Sequence, residues 1–468
     1  MRELAGLALS LALPWIAGTL AVAALWRERV QGKGTLCIGY GYLVGALATT
    51  LLLRLASLAG WRWSFAGIAG VLIALAAGGW YLAKPLPILR DAPSRCAASL
   101  AAMPSTSRRI FWLFLALAAI NVVGLACCVA WGLLLPYDAI SHWADKARVW
   151  YEYGRIMPFV DAYQWRRLAD VQYFWDPNPR HPGAVPLLQV WTSLGLGRWD
   201  ETLMNMPWLA ALVALGFAFY AQVRRLGAGA AKAMVCTYLL LSIPLLQINV
   251  AVAGMADMFV SVAYGTAAAS LWQWTRSRKR QDAALAILMA VYCAMVKNEG
   301  ILWTLTLVPA ALIAVQRRLG FALCGLLGAA AILYLVFGPN AMVFMGYTVV
   351  TQLRHVGAPM IEHMFVMDNW HLFWYAAAAV IAVNARRLLD VRLAPLTATV
   401  AAGAALVVVV FFFSSAAGGV NEESLVNRFL LQGVPALALY LLAVLQYRDE
   451  ITLSAGDSAR LASVNPAL

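Results

Sequence analysis

The sequence predicts an all-α polytopic membrane protein, and three features of its composition support this. Of the 468 residues, 63% are hydrophobic and 12% are charged, and the mean hydropathy is +0.74. A soluble domain is nearer half apolar and a quarter charged. The apolar residues also fall in runs of roughly 17–25, the length that crosses a bilayer as a helix. This composition excludes a disordered chain, a secreted disulfide scaffold and a cytosolic enzyme.

Thirteen apolar segments are predicted to be membrane-spanning helices. They are 5–26, 36–58, 64–83, 110–135, 203–223, 232–250, 255–275, 283–296, 300–316, 319–338, 371–385, 394–413 and 428–446. Segment 184–197 is also apolar but short, and we expect an amphipathic, interfacial or re-entrant helix there. We divide the chain into three N-terminal helices with their linker (1–107), a main membrane module (108–450) and a tail (451–468).

The positive charges indicate how the spans are oriented. The formal net charge is +13, and 22 of the 35 Lys and Arg residues fall on one side of the predicted spans. The positive-inside rule makes that side cytoplasmic, so the excess charge reflects topology and no nucleic-acid partner is expected. Loop 137–201, the turn 297–299, and the loops 339–370 and 414–427 are then extracytoplasmic.

The first candidate motif opens the long loop 137–201. Asp138 follows Pro136 as a plausible helix N-cap, and Gly154 is a plausible residue just past the helix end. Asp138, His142 and Asp145 are spaced i, i+4, i+7, which predicts one shared helix face. Asp138 either simply caps this helix or presents a reactive carboxylate outside the membrane.

Four further motifs place polar residues either later in loop 137–201 or at span ends on the same side of the membrane. They are Trp175-Asp176 with Arg180-His181-Pro182-Gly183, then Gly254-Met255-Ala256-Asp257, then Lys297-Asn298-Glu299-Gly300, and last Asn427-Arg428. An acid within a membrane span is costly and indicates function, and a charged turn below the surface must line a cavity. Each motif also has a purely structural alternative. In the same order, these are a proline-rich turn, a helix cap, an ion pair that closes a hairpin, and an arginine that snorkels to the membrane surface.

The order of these motifs resembles the GT-C superfamily of integral-membrane glycosyltransferases. The resemblance is to the branch of protein O-mannosyltransferases and aminoarabinose–lipid A transferases, and it covers about residues 108–445. The matching positions are Asp138, Ala144, Gly154 and Pro158; His181 and Pro182; Arg224 to Gly227; Met255 to Asp257; Lys297 to Gly300; and Arg428 to Pro435.

The chain departs from that pattern at several positions. Many relatives carry two adjacent acids where this chain has Asp138 followed by Ala139. Gly183 stands where relatives have a second proline, and Pro158 comes one position late. The three helices before residue 100 lie outside the usual core, so the resemblance implies no role for them.

The resemblance implies a GT-C fold, a polyprenyl-phosphate sugar donor, and a glycan, lipid or protein acceptor outside the cytoplasm. It implies a multi-pass protein in membrane lipid, in a bacterial inner membrane with the site facing the periplasm, and the alanine-rich composition suits a bacterium. Asp138 would be the general base. The donor phosphate would be held by Arg428, Lys297 and Arg354. The supporting residues would be His142, Asp145, Trp175, Asp176, Arg180, His181, Asp257 and Glu299.

Two other classes of function, and a bound metal ion, are alternatives to this one. Asp138 with Asp145 or Asp176 could hold Mg²⁺ or Mn²⁺, but no His/Cys/Asp cluster has convincing metal spacing, and we expect no cofactor. A secondary transporter would use Asp257, Lys297 and Glu299 as coupling residues between broken helices. A polysaccharide polymerase or ligase would use diphosphate-linked donors and generally more arginines outside the cytoplasm.

Overall fold

The protein is an all-α polytopic membrane protein. The computed structural model describes residues 1–26, 32–84, 97–98, 100–168, 173–339, 341–344, 347–350, 352–422 and 425–464. Arg27, Arg29 and half of the segment 84–109, which contains the predicted linker after the third helix, lie outside the described residues. The strands within the described ranges are short: β1 (Phe159–Val160) pairs in parallel with β2 (Phe174–Trp175), and β3 (Ala341–Phe344) pairs antiparallel with β4 (Tyr347–Val350).

The remaining elements are helical. The first part of the chain contains α1 (Arg2–Leu25), α2 (Lys33–Leu58), α3 (Phe65–Ala83), α4 (Ser105–Trp131), a π-helix (Ala139–Ala144), α5 (Asp145–Tyr153), α6 (Ala162–Trp165), α7 (Ala184–Leu196) and α8 (Met206–Arg225). The middle contains α9 (Ala230–Leu241), α10 (Pro244–Ala251), α11 (Asp257–Ser277), α12 (Arg280–Val296), α13 (Asn298–Leu305), α14 (Val308–Val315) and α15 (Arg317–Phe337). The last part contains α16 (Gly357–Ile361), a second π-helix (Glu362–Val366), α17 (Phe373–Val383), α18 (Ala394–Phe412), α19 (Gly418–Asn421) and α20 (Val426–Val464).

All thirteen predicted spans coincide with helix in the structure. In the described part of the chain, nine segments are long and apolar enough to cross a membrane, with α13 and α14 together forming one of them. The α9–α10 pair, bent by 62°, makes a tenth if it is one span. The predicted spans 255–275, 283–296 and 371–385 correspond to α11, α12 and α17. That these three also cross stays a prediction.

Helix α11 forms the centre of the bundle. Every residue from Asp257 to Gln273 is buried, and α11 packs against α12, α8 and α20. A helix enclosed on all sides tolerates polar residues that lipid would not. Gly265 permits the contact with α20, because a Cβ there would lie 2.6 Å from Cβ of Pro435.

The N-terminal helices pack directly onto loop 137–201. Gly6 of α1 and Gly195 of α7 are in backbone contact, since a Cβ on Gly6 would lie 1.9 Å from the Gly195 carbonyl oxygen. The Trp191 indole donates to the Ser10 carbonyl at 2.6 Å. The backbone N–H of Trp63 donates to the Gly154 carbonyl at 2.8 Å. Segment 1–83 therefore supports the loop.

Helix α7 differs from the amphipathic helix that the sequence suggested. It covers Ala184–Leu196, thirteen residues, and all but two of them are buried. The cause is the packing of α1, α2 and α3 against it, which covers the side that would otherwise face lipid or water. Burial on all sides removes the need for a polar face.

Charged residues gather at two opposite ends of the bundle. At one end, Arg225 of α8 and Asp282 of α12 form a buried ion pair with Nη1 and Oδ1 2.8 Å apart. At the other end, which we call the site end, lie Asp138, Asp257 and Arg428. Spans that alternate in direction, as the sequence predicts, produce this separation.

Candidate active site

A helical segment from Tyr137 to Tyr153 carries the first candidate residues into the site end. Gly154 ends it with a φ of 65°, in the left-handed conformation that glycine favours, as the sequence predicts. Asp138 has helical backbone angles, and its side chain makes no capping hydrogen bond. The simple capping role for Asp138 is therefore wrong.

The π-helix Ala139–Ala144 changes which side chains face inward. His142 and Lys146 are buried, whereas Asp145 is exposed. The predicted common face of Asp138, His142 and Asp145 is thus wrong at its third position. A π-turn inserts one extra residue into the helical repeat, so Lys146 occupies the position that α-helical spacing assigned to Asp145.

Five side chains from four parts of the chain form a continuous ion-pair network. Arg428 Nη2 lies 2.6 Å from Oδ2 of Asp138, and Arg428 Nε lies 2.9 Å from Oδ2 of Asp257. Lys297 Nζ lies 3.1 Å from Oδ1 of Asp257 and 3.1 Å from Oε1 of Glu299. The structure thus brings together five of the candidate residues that the sequence singled out.

Exposure within the ion-pair network is graded. The Asp257 side chain is 0% exposed and that of Glu299 is 3% exposed, whereas that of Asp138 is 32% exposed. Among the cations, Lys297 is 6% exposed and Arg428 is 16% exposed. Asp138 and Arg428 therefore form the accessible end, and Asp257 is the buried anchor.

Two glycines allow the backbone approaches that build this network. Gly254 has a φ of 120°, and a Cβ there would lie 2.6 Å from Cβ of Ala139, so the turn before Asp257 abuts the start of the π-helix. Gly300 lies against α12, since its Cβ would come within 2.0 Å of the Cys293 carbonyl oxygen. Both contacts require the absence of a side chain.

Gln432 is a member of the site that the sequence reasoning missed. Its Nε2 donates to Oδ1 of Asp257 at 2.6 Å, so Asp257 accepts from Gln432 as well as from Lys297 and Arg428. Gln432 is four residues after Arg428 on α20. The i, i+4 spacing that places two side chains on one helix face was the available signal.

A second buried cluster centres on Asp176, in the same loop. Asp176 Oδ1 lies 2.8 Å from His142 Nδ1 and accepts from the Asn178 N–H at 2.6 Å, and Oδ2 lies 2.5 Å from Lys146 Nζ. Burial alone would raise the pKa of Asp176, but the hydrogen bonds from His142 and Lys146 outweigh it and lower this pKa below its ordinary value. Asp176 thereby anchors the π-helix to segment 173–178.

His181 lies between the two clusters. Its ring centroid is 6.2 Å from that of His142 and 5.3 Å from the ring of Trp143. Burial lowers the pKa of His181 to about 4, and the positive charges of Lys297 and Lys146 act in the same direction against the favourable charge of Glu299. The imidazole is therefore neutral near pH 7.

Three candidate residues remain outside both clusters. Arg180 and Trp175 are exposed on the loop. Arg354 is exposed and borders a surface pocket with His355, Ser414 and Asn421. Within the described ranges, no ion pair or hydrogen bond joins the Arg354 side chain to the ion-pair network.

The carboxylates proposed as metal ligands are not gathered at one point. Asp138 pairs with Arg428, Asp176 pairs with His142 and Lys146, and Asp145 is exposed. Among the described residues, no group of three or more His, Cys, Asp or Glu side chains is arranged to hold a metal ion.

An apolar groove lies along α20. It has a volume of about 280 Å³, and its lining includes Tyr264, Trp303, Gly403, Leu430, Gly433 and Leu437. Leu430, Gly433 and Leu437 place the groove along α20, the helix that also carries Arg428. Gly403 and Gly433 border the Trp303 ring, since Cβ atoms there would lie 3.0 Å and 2.8 Å from it.

No protein-family model, curated protein or solved structure matches this chain. Function is therefore inferred from the residues and contacts of this site.

Proposed function

We propose that this chain is a membrane glycosyltransferase of the GT-C type, with about thirteen spans. It transfers a sugar from a polyprenyl-phosphate donor to an extracytoplasmic glycan, lipid or protein, in a bacterial inner membrane with the site facing the periplasm. One observation carries the proposal: the accessible carboxylate of Asp138 is paired with Arg428 at the site end. A single-displacement transfer needs a base for the acceptor and a cation for the leaving phosphate, and this pair supplies both groups.

Asp138 is the general base in this proposal. Its side chain is 32% exposed, whereas that of Asp257 is 0% exposed, so Asp138 is the acid that an acceptor can reach. The carboxylate takes the proton of the acceptor hydroxyl or amine as its oxygen or nitrogen attacks the anomeric carbon. The bond from that carbon to the phosphate oxygen breaks, and the polyprenyl phosphate leaves with the electron pair. The product is inverted at the anomeric carbon.

Arg428 and Lys297 hold the leaving phosphate. Arg428 is the more exposed of the two, and both are fixed by the buried carboxylate of Asp257. A guanidinium that is already oriented by one carboxylate does not need to be ordered when phosphate binds. The apolar groove along α20 accommodates the first part of the lipid chain.

Donor binding must separate Asp138 from Arg428. In an inverting displacement the base and the leaving group lie on opposite faces of the sugar, yet these two side chains are 2.6 Å apart. Arg428 therefore exchanges the Asp138 carboxylate for the donor phosphate and keeps its contact with Asp257. This exchange releases Asp138 to face the acceptor.

The test is a transfer assay with a labelled polyprenyl-phosphate sugar in membranes that contain the full chain. Wild type is compared with Asp138→Asn and with the matched control Asp368→Asn, an acid whose side chain is 89% exposed and which belongs to neither cluster. We expect transfer by wild type and by the control and a loss of at least about a hundredfold in Asp138→Asn. Equal transfer by Asp138→Asn and wild type would contradict the role of Asp138.

A secondary transporter is the second candidate, and the broken helix α9–α10 is the observation that favours it. The two halves are bent by 62°. Discontinuous helices line the substrate sites of many transporters. Uptake of a solute into vesicles that contain the purified chain, with no transfer or hydrolysis of lipid-linked sugars, would establish this alternative.

A further inference from the structure

Arg54, near the site end of α2, carries a buried guanidinium nitrogen without a partner. Its Nε is fully enclosed and has no hydrogen-bond acceptor within the described ranges. No ion pair with a described carboxylate compensates its charge either. An unpaired donor in a buried position costs free energy, and most such groups in proteins are paired with protein, water or an ion.

The side chain of Arg54 is directed at the turn that precedes α7. Its Nη2 lies 3.5 Å from the position that a Cβ on Gly183 would occupy. The Trp150 ring lies 2.5 Å from the same position. Arg54 therefore points into the contact between α2 and loop 137–201, away from the lipid-facing side of its own helix.

The same turn holds a second buried nitrogen without a partner. Nδ1 of His181, two residues before Gly183, makes no hydrogen bond to any described residue. The charges of Glu299, Lys297 and Lys146 also act on His181. The surroundings of the turn thus combine two nitrogens that have no described partner with charged side chains of both clusters.

The cations of the two clusters are already compensated, which distinguishes Arg54 from them. Lys297 and Arg428 each contact two carboxylates, and Lys146 contacts Asp176. No described carboxylate contacts the half-buried side chain of Arg54, so its charge is available to an anionic ligand. A water molecule would satisfy a hydrogen bond but not the charge, whereas an oxyanion satisfies both.

We propose that Arg54 and His181 bind an oxyanion of the phosphate class at the turn 181–183. Arginine is suited to this ligand because its planar fork donates two parallel hydrogen bonds to phosphate. The site gives the N-terminal helices, which lie outside the region of family resemblance, a binding residue of their own. Binding here does not require sugar transfer, so the proposal stands or falls separately from the proposed function.

The experiment measures binding of two probes to the purified full chain in detergent by isothermal titration calorimetry. The probes are inorganic phosphate and a short-chain phosphatidic acid, and the variant is Arg54→Met. Arg62→Met is the control, because Arg62 is exposed in the loop that follows α2 and lies against Gly154. We expect saturable binding by wild type, at least a tenfold weaker affinity in Arg54→Met and less than a twofold change in Arg62→Met.

The two probes identify the source of the phosphate. Binding of inorganic phosphate alone supports a soluble anion, binding of phosphatidic acid alone supports a lipid headgroup, and binding of both supports a headgroup site with no tail selectivity. Absence of binding by wild type to both probes, or equal binding by wild type and Arg54→Met, overturns the proposal.

A measurement of thermal stability tests the proposal by a second route that does not depend on calorimetric binding data. Because Arg54→Met removes a half-buried charge that no described carboxylate compensates, its melting temperature without phosphate should equal or exceed that of wild type. Phosphate should then raise the melting temperature of wild type and of Arg62→Met but not of Arg54→Met. Should Arg54→Met fail to fold, Arg54→Lys replaces it, with a severalfold loss of affinity expected because the bidentate contact is gone. A phosphate-induced rise of equal size in wild type and the Arg54 variant contradicts the site.

Discussion

Asp138 and Arg428 are in direct contact, with Oδ2 and Nη2 2.6 Å apart, although one begins the long loop 137–201 and the other begins α20. The pair joins the part of the site that an acceptor can reach to the buried carboxylate of Asp257. Substitution of an exposed member of this network should therefore affect mainly activity, whereas substitution of a buried member should affect mainly stability.

Asp138→Asn should abolish activity while leaving the protein folded. The pair with Arg428 is partly exposed, and a pair of that kind contributes about 0–1 kcal/mol to stability. Loss of a general base costs about 10²–10⁴-fold in rate. Thermal unfolding in detergent and the transfer assay, run on one preparation, check both halves. A collapse of the melting temperature would show that Asp138 is mainly structural.

Arg428→Gln should destabilise the protein by about 3–5 kcal/mol, because it removes one of the two cations that compensate the buried Asp257 carboxylate. Adding Asp257→Asn removes the uncompensated charge and should restore part of that loss. A double-mutant cycle from the unfolding free energies measures this coupling. Strictly additive losses would mean that the two side chains do not stabilise each other.

Gly300→Ala should destabilise the α12–α13 hairpin by about 1–3 kcal/mol and displace Lys297 and Glu299. The cause is the Cys293 carbonyl oxygen, 2.0 Å from the new Cβ. Gly328→Ala on α15 is the matched control, since nothing lies within 4 Å of its Cβ position. That control should be neutral or slightly stabilising, because alanine favours helix. Equal unfolding temperatures for the two variants would contradict the close approach.

The stability of the wild-type protein should fall as the pH drops from about 6.5 to about 4, with His181 as one cause. Burial depresses the pKa of His181 to about 4 in the folded state, so the unfolded chain binds the extra proton in this window. Stability is therefore present above the unfolded pKa and lost on acidification, by at most about 3 kcal/mol. His181→Gln should flatten the melting-temperature profile over this range. The variant leaves unchanged the charged and titratable groups that face His181, which are Lys297, Glu299, Lys146 and His142. An unaltered melting-temperature profile would therefore exclude His181 as the cause.

Much of the fold follows from local sequence, because hydrophobic runs identify helices without knowledge of their neighbours. The candidate residues Asp257, Lys297 and Arg428 were identifiable for the same reason, since charge within an apolar run is costly. Their mutual contacts were not predictable. These depend on how closely helices approach, which glycines such as Gly254 and Gly300 determine only in the packed structure.

The difference between Asp145 and Lys146 shows a second limit of sequence reasoning. Helical spacing predicts where the two side chains point only if every turn of the helix has 3.6 residues. The π-helix at Ala139–Ala144 adds a residue, so Lys146 is buried and Asp145 is exposed. Tertiary contacts to Asp176 stabilise that irregular turn, and its position is not visible in the hydrophobic pattern.

The contact of Gly6 with Gly195 has a consequence for biosynthesis. Helices α1 to α3 are synthesised before loop 137–201, and α7 is buried largely by them. The docking surface of loop 137–201 is therefore synthesised before the loop itself, and α7 can be covered as soon as it forms. A chain begun after residue 83 would expose that helix, and its loop would be an early target for proteases and chaperones rather than an assembled site.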